Sequence, residues 1–596
     1  MAKIDGVGTF NNTVGVIPYL ALEPDEFEAE VARYRAGGIE ETTFTPWRLR
    51  RGVYGQRQPE AQMMRIKLPG GLANAAQLEA LAQVTDAYVP LNRGHITTRE
   101  NIQFHHVKLE DAGQVMRVLG EVGLSTREAC GNTVRNVIAD PLIGVDPQQA
   151  FDITPYLVAF VRKFVRHPIP QNMPRKIKTA FSSGDHDPAL AGMHDLGFIA
   201  KVQDVDGTPR KGFKVVVGGG TSIQAKVAAT LYEFVPVEEY LRVSEAVLRV
   251  FNQADELRQN KMMARIKVLV HRYGIEKVRE WVEEELAKPW AQEGDYDPEP
   301  LMAYAQETPP TLPGNGSTGG DNNKEFQIWK RTNVMEQAQK GYFAAYAKVS
   351  QGDLTGEQFR GIAKAAAQYG SGSVGFSAEQ NLAFRWVPEA SLFGLWQELE
   401  TIGLGDGGVY SITDVTSCPG TDSCKLGITS SMGLNRAVID GLNESPELLG
   451  DPLVNKLHVK MSGCPNGCGR HHLANIGFHG ASIKGPEGQQ VPAYEMFIGG
   501  GFENGQLEYG GRLKAKVAAK MVPQAVSRVL HYYQEQRNDG EEFNDFVHRT
   551  DSGAFEALLA EFRDVGPLNK DNLPMYMDWG KTILYKLERG EGECAV

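Results

Sequence analysis

Two stretches of sequence decide the fold: RENIQFHHV at residues 99–107 and EQNLAFRWV at residues 379–387. They align without a gap, 280 positions apart. A second pair, FKVVVGGG from Phe213 and EMFIGGG from Glu495, repeats at nearly the same spacing. Similarity at one fixed spacing indicates a duplication, whereas the alternative is that these are generic strand-plus-glycine patterns. We expect two related halves about a pseudo-twofold axis, with a ligand site in the crevice between them.

A run rich in Pro, Gly, Asn and Asp separates the two halves, from about Glu283 to Lys324. On both sides of it, apolar residues recur with the periods of amphipathic helices and of strands. This mixture predicts an α+β protein. Helical patterns lie at 76–86, 223–256, 258–286 and 357–368, and strand patterns at 63–68, 102–109, 213–217, 382–387 and 494–498.

Composition excludes several classes of protein. The chain has 596 residues, 42% hydrophobic and 23% charged, which is typical of a globular enzyme of more than one domain. Its 62 basic and 74 acidic residues give a net charge of −12, which argues against nucleic-acid binding. Because no apolar run approaches the ~18 residues of a membrane span, we expect no membrane insertion and a cytoplasmic location.

Four of the six cysteines form two pairs. Cys418 and Cys424 enclose Pro-Gly-Thr-Asp-Ser, and Cys464 and Cys468 enclose Pro-Asn-Gly, so both pairs are expected on tight loops. Four thiolates are the usual ligands of a [4Fe–4S] cluster. Structural zinc is the main alternative, although its ligand pairs generally have a shorter spacing than C-x5-C. Disulfides are less favoured in a chain that is not exported.

The C-x5-C and C-x3-C pairs, together with the duplication, resemble the sirohaem-dependent sulfite and nitrite reductases between about Arg65 and Gly501. The resemblance implies ferredoxin-like half-domains and two sirohaem/cluster-binding α/β domains. It also implies that Cys468 both binds the cluster and bridges it to the sirohaem iron. The implied division is an N-terminal extension (1–60), a first half-domain (61–125), a first sirohaem-binding domain (126–285), a linker (286–330), a second half-domain (331–405), a [4Fe–4S]/sirohaem-binding domain (406–510) and a C-terminal extension (511–596).

Four basic residues of the first half match the family's motifs for the open face of the haem. They are Arg99 in TTRENIQFH, Arg135 in CGNTVRNV, and Lys176 and Lys178 in MPRKIKT. Cations suit both the carboxylates of sirohaem and small oxyanion substrates. The alternative for each is a solvated surface charge. We expect Asn466 and the Gly-Gly-Gly runs at 218–220 and 499–501 to allow positive φ or close backbone approach to the cofactor.

The resemblance implies a six-electron reduction of sulfite to sulfide, or of nitrite to ammonium on the same scaffold. The nitrite branch usually has asparagine where this chain has Lys178, which favours sulfite, whereas Pro419 replaces the more common threonine and leaves the subgroup open. No dinucleotide-binding fingerprint is present, so we expect a separate electron-donor protein such as ferredoxin. The alternative from another class is a non-catalytic protein stabilised by zinc or by a cluster.

Overall fold

The computed structural model describes residues 16–222, 224–302, 320–503, 505–590 and 592–593, and Cys594 therefore lies outside the described residues. Its α-helices are Leu22–Arg35, Glu41–Leu49, Ala75–Tyr88, Ala112–Glu121, Thr154–Phe164, Tyr240–Gln253, Ile266–Tyr273, Ile275–Leu286, Pro289–Glu293, Glu299–Met302, Lys324–Asn333, Gly356–Tyr369, Leu392–Thr401, Ser431–Asn443, Pro446–Leu449, Pro452–Asn455, Val522–Gln536, Phe543–Arg549 and Ser552–Leu559. None of the described helices is long and apolar enough to cross a membrane.

The strands form four larger sheets, two in each half. The first two sheets, in spatial order, consist of Val53–Gly55, Ala61–Ile66, Ile102–Lys108, Gly94–Ile96 and Asp353–Leu354, and of Val334–Glu336, Tyr342–Ala347, Leu382–Pro388, Ser373–Phe376 and Leu72–Asn74. The other two consist of Thr179–Ser182, Leu196–Val205, Thr208–Val217 and Ala229–Pro236, and of Thr416–Ser417, Val459–Ser462, Ile476–Lys484, Gln490–Ile498 and Gly511–Ala518. A two-stranded ribbon, Gly501–Glu503 with Gln506–Glu508, completes the set.

The two ferredoxin-like sheets exchange a strand. Leu72–Asn74 of the first half pairs with Ser373–Phe376, and Asp353–Leu354 of the second half pairs with Gly94–Ile96. The exchanged strands occupy equivalent places in the two repeats, so the exchange is reciprocal. One hydrophobic core runs through both half-domains. The predicted duplication with a pseudo-twofold arrangement is confirmed.

Each exchanged strand leads into a helix that begins in the same way in both halves. The Asn74 side chain accepts from the Gln77 backbone N–H and the Gln77 side chain accepts from Asn74 N–H, while Thr355 and Gln358 make the same reciprocal pair. Such a capping box satisfies two N–H groups that a helix start leaves free. The helices Ala75–Tyr88 and Gly356–Tyr369 then pack against each other within the shared core. The same local sequence signal therefore starts the equivalent helix in both repeats.

The other two sheets also match each other. Thr179–Ser182 runs parallel to Leu196–Val205, and Val459–Ser462 runs parallel to Ile476–Lys484, whereas the following strands are antiparallel. Each parallel pair is joined by an irregular loop with a short 3-10 turn. The second loop contains Cys464 and Cys468. The duplicated architecture therefore presents the cysteines on only one of two equivalent loops.

The predicted helix over 223–256 is wrong in its first half. Ala229–Pro236 is a strand that pairs with Thr208–Val217 at the edge of its sheet, and the helix is confined to Tyr240–Gln253. Two register shifts interrupt the pairing of this strand with Thr208–Val217, so its buried positions do not alternate regularly and its sequence lacks a clear period of two. The predicted helices between 258 and 286 are present as Ile266–Tyr273 and Ile275–Leu286.

The C-terminal segment returns to the cysteine-bearing domain and ends in a buried ion pair. The Glu593 carboxylate accepts from Arg48 Nη1 at 2.9 Å and Nη2 at 2.8 Å, from Gly55 N–H at 2.8 Å and from Lys425 Nζ at 3.0 Å. Burial raises the pKa of Glu593, but these donors outweigh it and hold the pKa below its usual range. The pair ties the end of the chain to its first hundred residues and to the residue after Cys424.

We expect Glu593→Gln to destabilise the protein by about 3 kcal/mol, because it leaves the buried charge of Arg48 without its partner. Denaturant unfolding measures this loss, and limited proteolysis measures release of the C-terminal segment. Glu588→Gln is the matched control, since the Glu588 side chain is 68% exposed and lies 4.0 Å from Lys586. Equal behaviour of the two variants in both assays would contradict the assignment.

Candidate functional site

Both cysteine pairs lie on loops at one edge of the C-terminal sheet. Cys418 follows the short strand Thr416–Ser417, and Cys464 follows Val459–Ser462. The two strands are parallel neighbours, so their carboxyl ends bring the two loops together. The Gly463 N–H donates to Cys418 Sγ at 3.3 Å across the two loops. None of Cys130, Cys418, Cys424, Cys464 and Cys468 forms a disulfide.

The pKa shifts of the thiols also indicate that the four cysteines lie close to one another. Burial, together with the neighbouring Cys468 and Cys424, raises the pKa of Cys418 to about 12. Burial and Cys468 likewise raise the pKa of Cys424 and of Cys464. Cys464 is buried, Cys418 and Cys424 are half-buried and Cys468 is exposed, and thiolates that repel one another in this way are held in the ionised form by a bound cation. The set is therefore chemically suited to a metal centre.

The number and type of these ligands suit a cluster. Four thiolates are the usual ligand set of a [4Fe–4S] cluster. Structural zinc can also take four thiolates, although its ligand pairs generally have a shorter spacing in the sequence than Cys418 and Cys424.

Backbone N–H groups point at these sulfur atoms. The Gly463 N–H donates to Cys418 Sγ, and the backbone N–H groups of Leu426 and Asn466 act to lower the pKa of Cys424 and of Cys464. Hydrogen bonds to sulfur are one of the means by which a protein sets a cluster's potential. Asn466 has no positive φ, so that part of its expected role is wrong, and its close approach to the cofactor stays a prediction. Gly467 has a positive φ instead, at 69°.

The Gly-Gly-Gly runs allow close approach of backbone in both halves. A Cβ on Gly219 would lie 2.3 Å from Gly192 O, and one on Gly500 would lie 2.3 Å from His472 O. Neither position can carry a side chain without moving the backbone opposite. The first run thereby packs against the loop after Thr179–Ser182. The second run packs against the loop that carries Cys464 and Cys468.

Arg99 lies against the cysteine loop. The Thr98 hydroxyl donates to Cys468 O at 2.7 Å, and Arg470 Nη2 donates to Thr98 O at 2.7 Å. Burial and the charge of Arg470 lower the pKa of Arg99 to about 9. Arg99 Nη2 donates to Asn136 O, whereas its Nε and Nη1 are buried and have no hydrogen-bond partner in the described structure. Two guanidinium donors are thus available to an anionic ligand.

Lys178 and Lys176 are both half-buried beside Arg99. Burial lowers the pKa of Lys178 well below its usual value, and the charges of Arg265, Arg99 and Lys176 lower it further. The charge of Cys468 acts on Lys178 in the opposite direction. Lys178 therefore lies within electrostatic reach of Lys176, of Arg99 and of the cysteine that the resemblance assigns to the bridge.

Arg135 lies deeper than the other three predicted cations. It is 5% exposed, and its Nε and Nη1 donate to Gly131 O and Ala129 O, each at 3.0 Å. Its charge reaches Arg99, whose pKa it lowers. The structure thus brings the four predicted cations to one region, with Arg135 anchored to backbone carbonyls.

Sequence reasoning missed three residues of this region: Arg265, Arg470 and His194. Arg265 forms a two-point ion pair with the buried Asp195, both contacts at 2.7 Å, and Asp195 also accepts from Lys178 N–H at 2.8 Å. His194 Nδ1 is 2.9 Å from Leu190 O, and its buried Nε2 has no partner among the described residues. Only Arg470, two residues after Cys468, had a sequence signal, its place in the cysteine motif.

Positive charge exceeds negative charge in this pocket. The pocket has six basic residues and two carboxylates that pair with cations. The buried Asp195 pairs with Arg265, and the half-buried Glu379 pairs with Lys460 at 3.1 Å and also interacts with Arg470. Burial raises the pKa of Glu100 well above its usual value, which weakens this carboxyl as a counter-charge. Buried cations with unpartnered donors fit a ligand that carries several carboxylates, as sirohaem does. The residues present therefore fit both groups that the motifs imply.

Two family models match the chain. The nitrite and sulphite reductase 4Fe-4S domain matches residues 130–290 and 409–563. The nitrite/sulfite reductase ferredoxin-like half domain matches residues 54–122 and 335–402. Each model matches twice, as the duplicated fold requires, and the first alone covers more than half of the chain.

Individual relatives have similar lengths. A sulfite reductase [ferredoxin] of Mycolicibacterium paratuberculosis is 29% identical over 82% of each chain, and an assimilatory ferredoxin-dependent nitrite reductase of Haloferax mediterranei is 27% identical over 91% of this chain and 90% of its own. The solved structure of the Mycobacterium tuberculosis NirA protein superposes with a TM-score of 0.74 at 25% identity, covering 92% of this chain and all of that one. The chain belongs to the nitrite and sulphite reductase family, whose members are sirohaem and [4Fe–4S] oxidoreductases.

Proposed function

We propose that this protein reduces sulfite to sulfide in a six-electron reaction. The observation that carries the proposal is the cationic pocket beside Cys468, in which Lys178 lies next to Lys176 and Arg99. Sulfite brings more negative charge and one more oxygen than nitrite, and a second ammonium group meets both needs. Reduction of nitrite to ammonium on the same scaffold is the second candidate, because relatives of both names match this chain at similar identity.

Cys418, Cys424, Cys464 and Cys468 would hold the cluster, and Cys468 would also hold the sirohaem iron. When bound, these groups supply the electrons and the iron to which the oxyanion binds. The chain's own task is electrostatic, since Arg99, Lys176 and Lys178 neutralise the anion and orient its oxygens. Lys178, whose pKa is lowered, readily gives up a proton from Nζ to a departing oxygen. Arg135 and Arg265 would add to the positive electrostatic potential of the pocket without contacting the anion.

The electrons would come from a separate protein, a ferredoxin by analogy with the names of the relatives. Charge attraction would guide that donor toward the side of the cluster that faces solvent. Five free cysteines in the described structure fit a reducing compartment, which supports the cytoplasm as the site of the reaction.

Turnover of sulfite and of nitrite with dithionite-reduced methyl viologen tests the proposal directly. We expect a higher kcat/KM for sulfite, because the pocket is built for the more highly charged anion. Sulfide and ammonium are measured separately, so that each product identifies its own substrate. A higher kcat/KM for nitrite would move the assignment to the second candidate.

A further inference from the structure

The last part of the chain lies outside the residues that the family models match, which end at 563. Residues 578–590 and 592–593, called here the tail, cover the loop that carries Cys418 and Cys424. At its start, Asp578 Oδ2 accepts from Ser430 N–H at 2.8 Å. Further on, Tyr585 OH donates to Ile428 O at 3.0 Å. The tail therefore runs along the outer side of the cysteine loop.

The far end of the tail is fixed as well. Gly590 N–H donates to Lys425 O at 2.9 Å, one residue after Cys424, and the Glu593 ion pair with Arg48 is buried. These contacts at both ends of the tail fix the backbone from which the side chains between them project. A surface that is ordered before binding loses less conformational entropy when a partner docks.

The middle of the tail exposes apolar side chains. Ile583 is 72% exposed, Leu584 50% and Leu587 39%. Elsewhere in the described ranges, no five-residue window holds three such exposed large apolar residues. Single exposed apolar residues need no explanation, but a contiguous group ringed by polar residues marks an interaction site.

Basic residues surround this apolar group. Lys581, Lys586 and Arg589 are exposed, and Glu588 is the one acidic residue between 579 and 590. The surface is thus positive on a chain whose net charge is −12. An apolar centre with a basic rim has the anatomy of a transient interface for an acidic partner.

We propose that the tail is the docking surface for the electron donor, a small acidic redox protein. The inference rests on the proposed function, which requires electrons to reach the cluster from outside. The tail lies on the cysteine loop itself, so a protein docked on Ile583, Leu584 and Leu587 places its redox group close to the cluster. The basic rim attracts the donor, and the apolar centre holds it.

The test compares two sources of electrons on the purified holoenzyme. One variant combines Lys581→Glu and Lys586→Glu, and a second carries Ile583→Asp. Both should lower kcat/KM for a reduced [2Fe–2S] ferredoxin by at least about tenfold. Sulfite reduction driven by methyl viologen should stay within about twofold of the unmodified enzyme, since this small reductant needs no docking surface. Lys340→Glu, an exposed lysine in the turn after Val334–Glu336, is the control for a single charge reversal outside the tail.

Three results would overturn the proposal. The first is undiminished ferredoxin-driven turnover in both tail variants. The second is an equal loss with both reductants, because the side chains would then act on the cysteine loop and not on docking. The third is a dimer in sedimentation that Ile583→Asp separates, because a second copy would then cover the surface. Absence of any methyl viologen activity in the unmodified enzyme would instead defeat the proposed function, and titration with oxidised ferredoxin would still test the docking.

Discussion

Cys468→Ser should abolish the binding of both cofactors, lowering the iron and the sirohaem retained per chain by at least about tenfold. The reason is that we propose Cys468 as the ligand shared by the two groups. Its charge raises the pKa of Cys418, Cys424 and Cys464, and it acts on Lys178 in the cationic pocket as well. A serine hydroxyl is a harder and far less acidic ligand than a thiol, and it suits neither the cluster nor a shared bridge.

Iron analysis and the visible spectrum of the purified variant measure this result. Cys130→Ser is the matched control, because Cys130 is fully buried in a small apolar cluster away from the four-thiol set. The control should retain both cofactors. Normal sirohaem content in Cys468→Ser, with loss of the cluster alone, would contradict a shared ligand and leave Cys468 as a cluster ligand only.

The parts of the fold that the sequence predicts are those with a strong local period. The helices Ala75–Tyr88 and Gly356–Tyr369 have clear apolar faces, and both predictions match them closely. The exchanged strands Leu72–Asn74 and Asp353–Leu354 are three and two residues long, too short to show any period. Strand exchange therefore depends on how the two halves pack together, and it cannot be predicted from the sequence of either strand alone.

The candidate site likewise has a part that the sequence predicts and a part that it does not. The cysteine pairs are recognisable because thiols are rare and their spacing is specific. Arg265 is an ordinary cation in the sequence, and its role depends on Asp195, 70 positions away. The pKa of Lys178 is lowered mainly by burial, and its burial depends on tertiary packing. Residue type and spacing thus identify the metal ligands, whereas the electrostatics of the pocket require the fold.

Lys178→Asn should lower kcat/KM for sulfite by about 2–4 kcal/mol of transition-state stabilisation, which is about 30-fold to 900-fold. Asparagine keeps a hydrogen-bond donor but removes one of the positive charges around the bound anion. Nitrite turnover should fall much less, or rise, because a bent monoanion has less charge to neutralise and one oxygen fewer to hold.

The measurement is kcat/KM for both substrates with methyl viologen as reductant, so that donor docking plays no part. Lys214→Asn is the matched control, because Lys214 lies on the strand Thr208–Val217 and pairs with the exposed Glu233 at 3.1 Å, outside the pocket. The argument for sulfite depends on the difference between the two substrates, since a group that only delivers protons would affect both. Equal losses for sulfite and nitrite would therefore assign Lys178 to proton delivery or to structure and remove the basis for preferring sulfite.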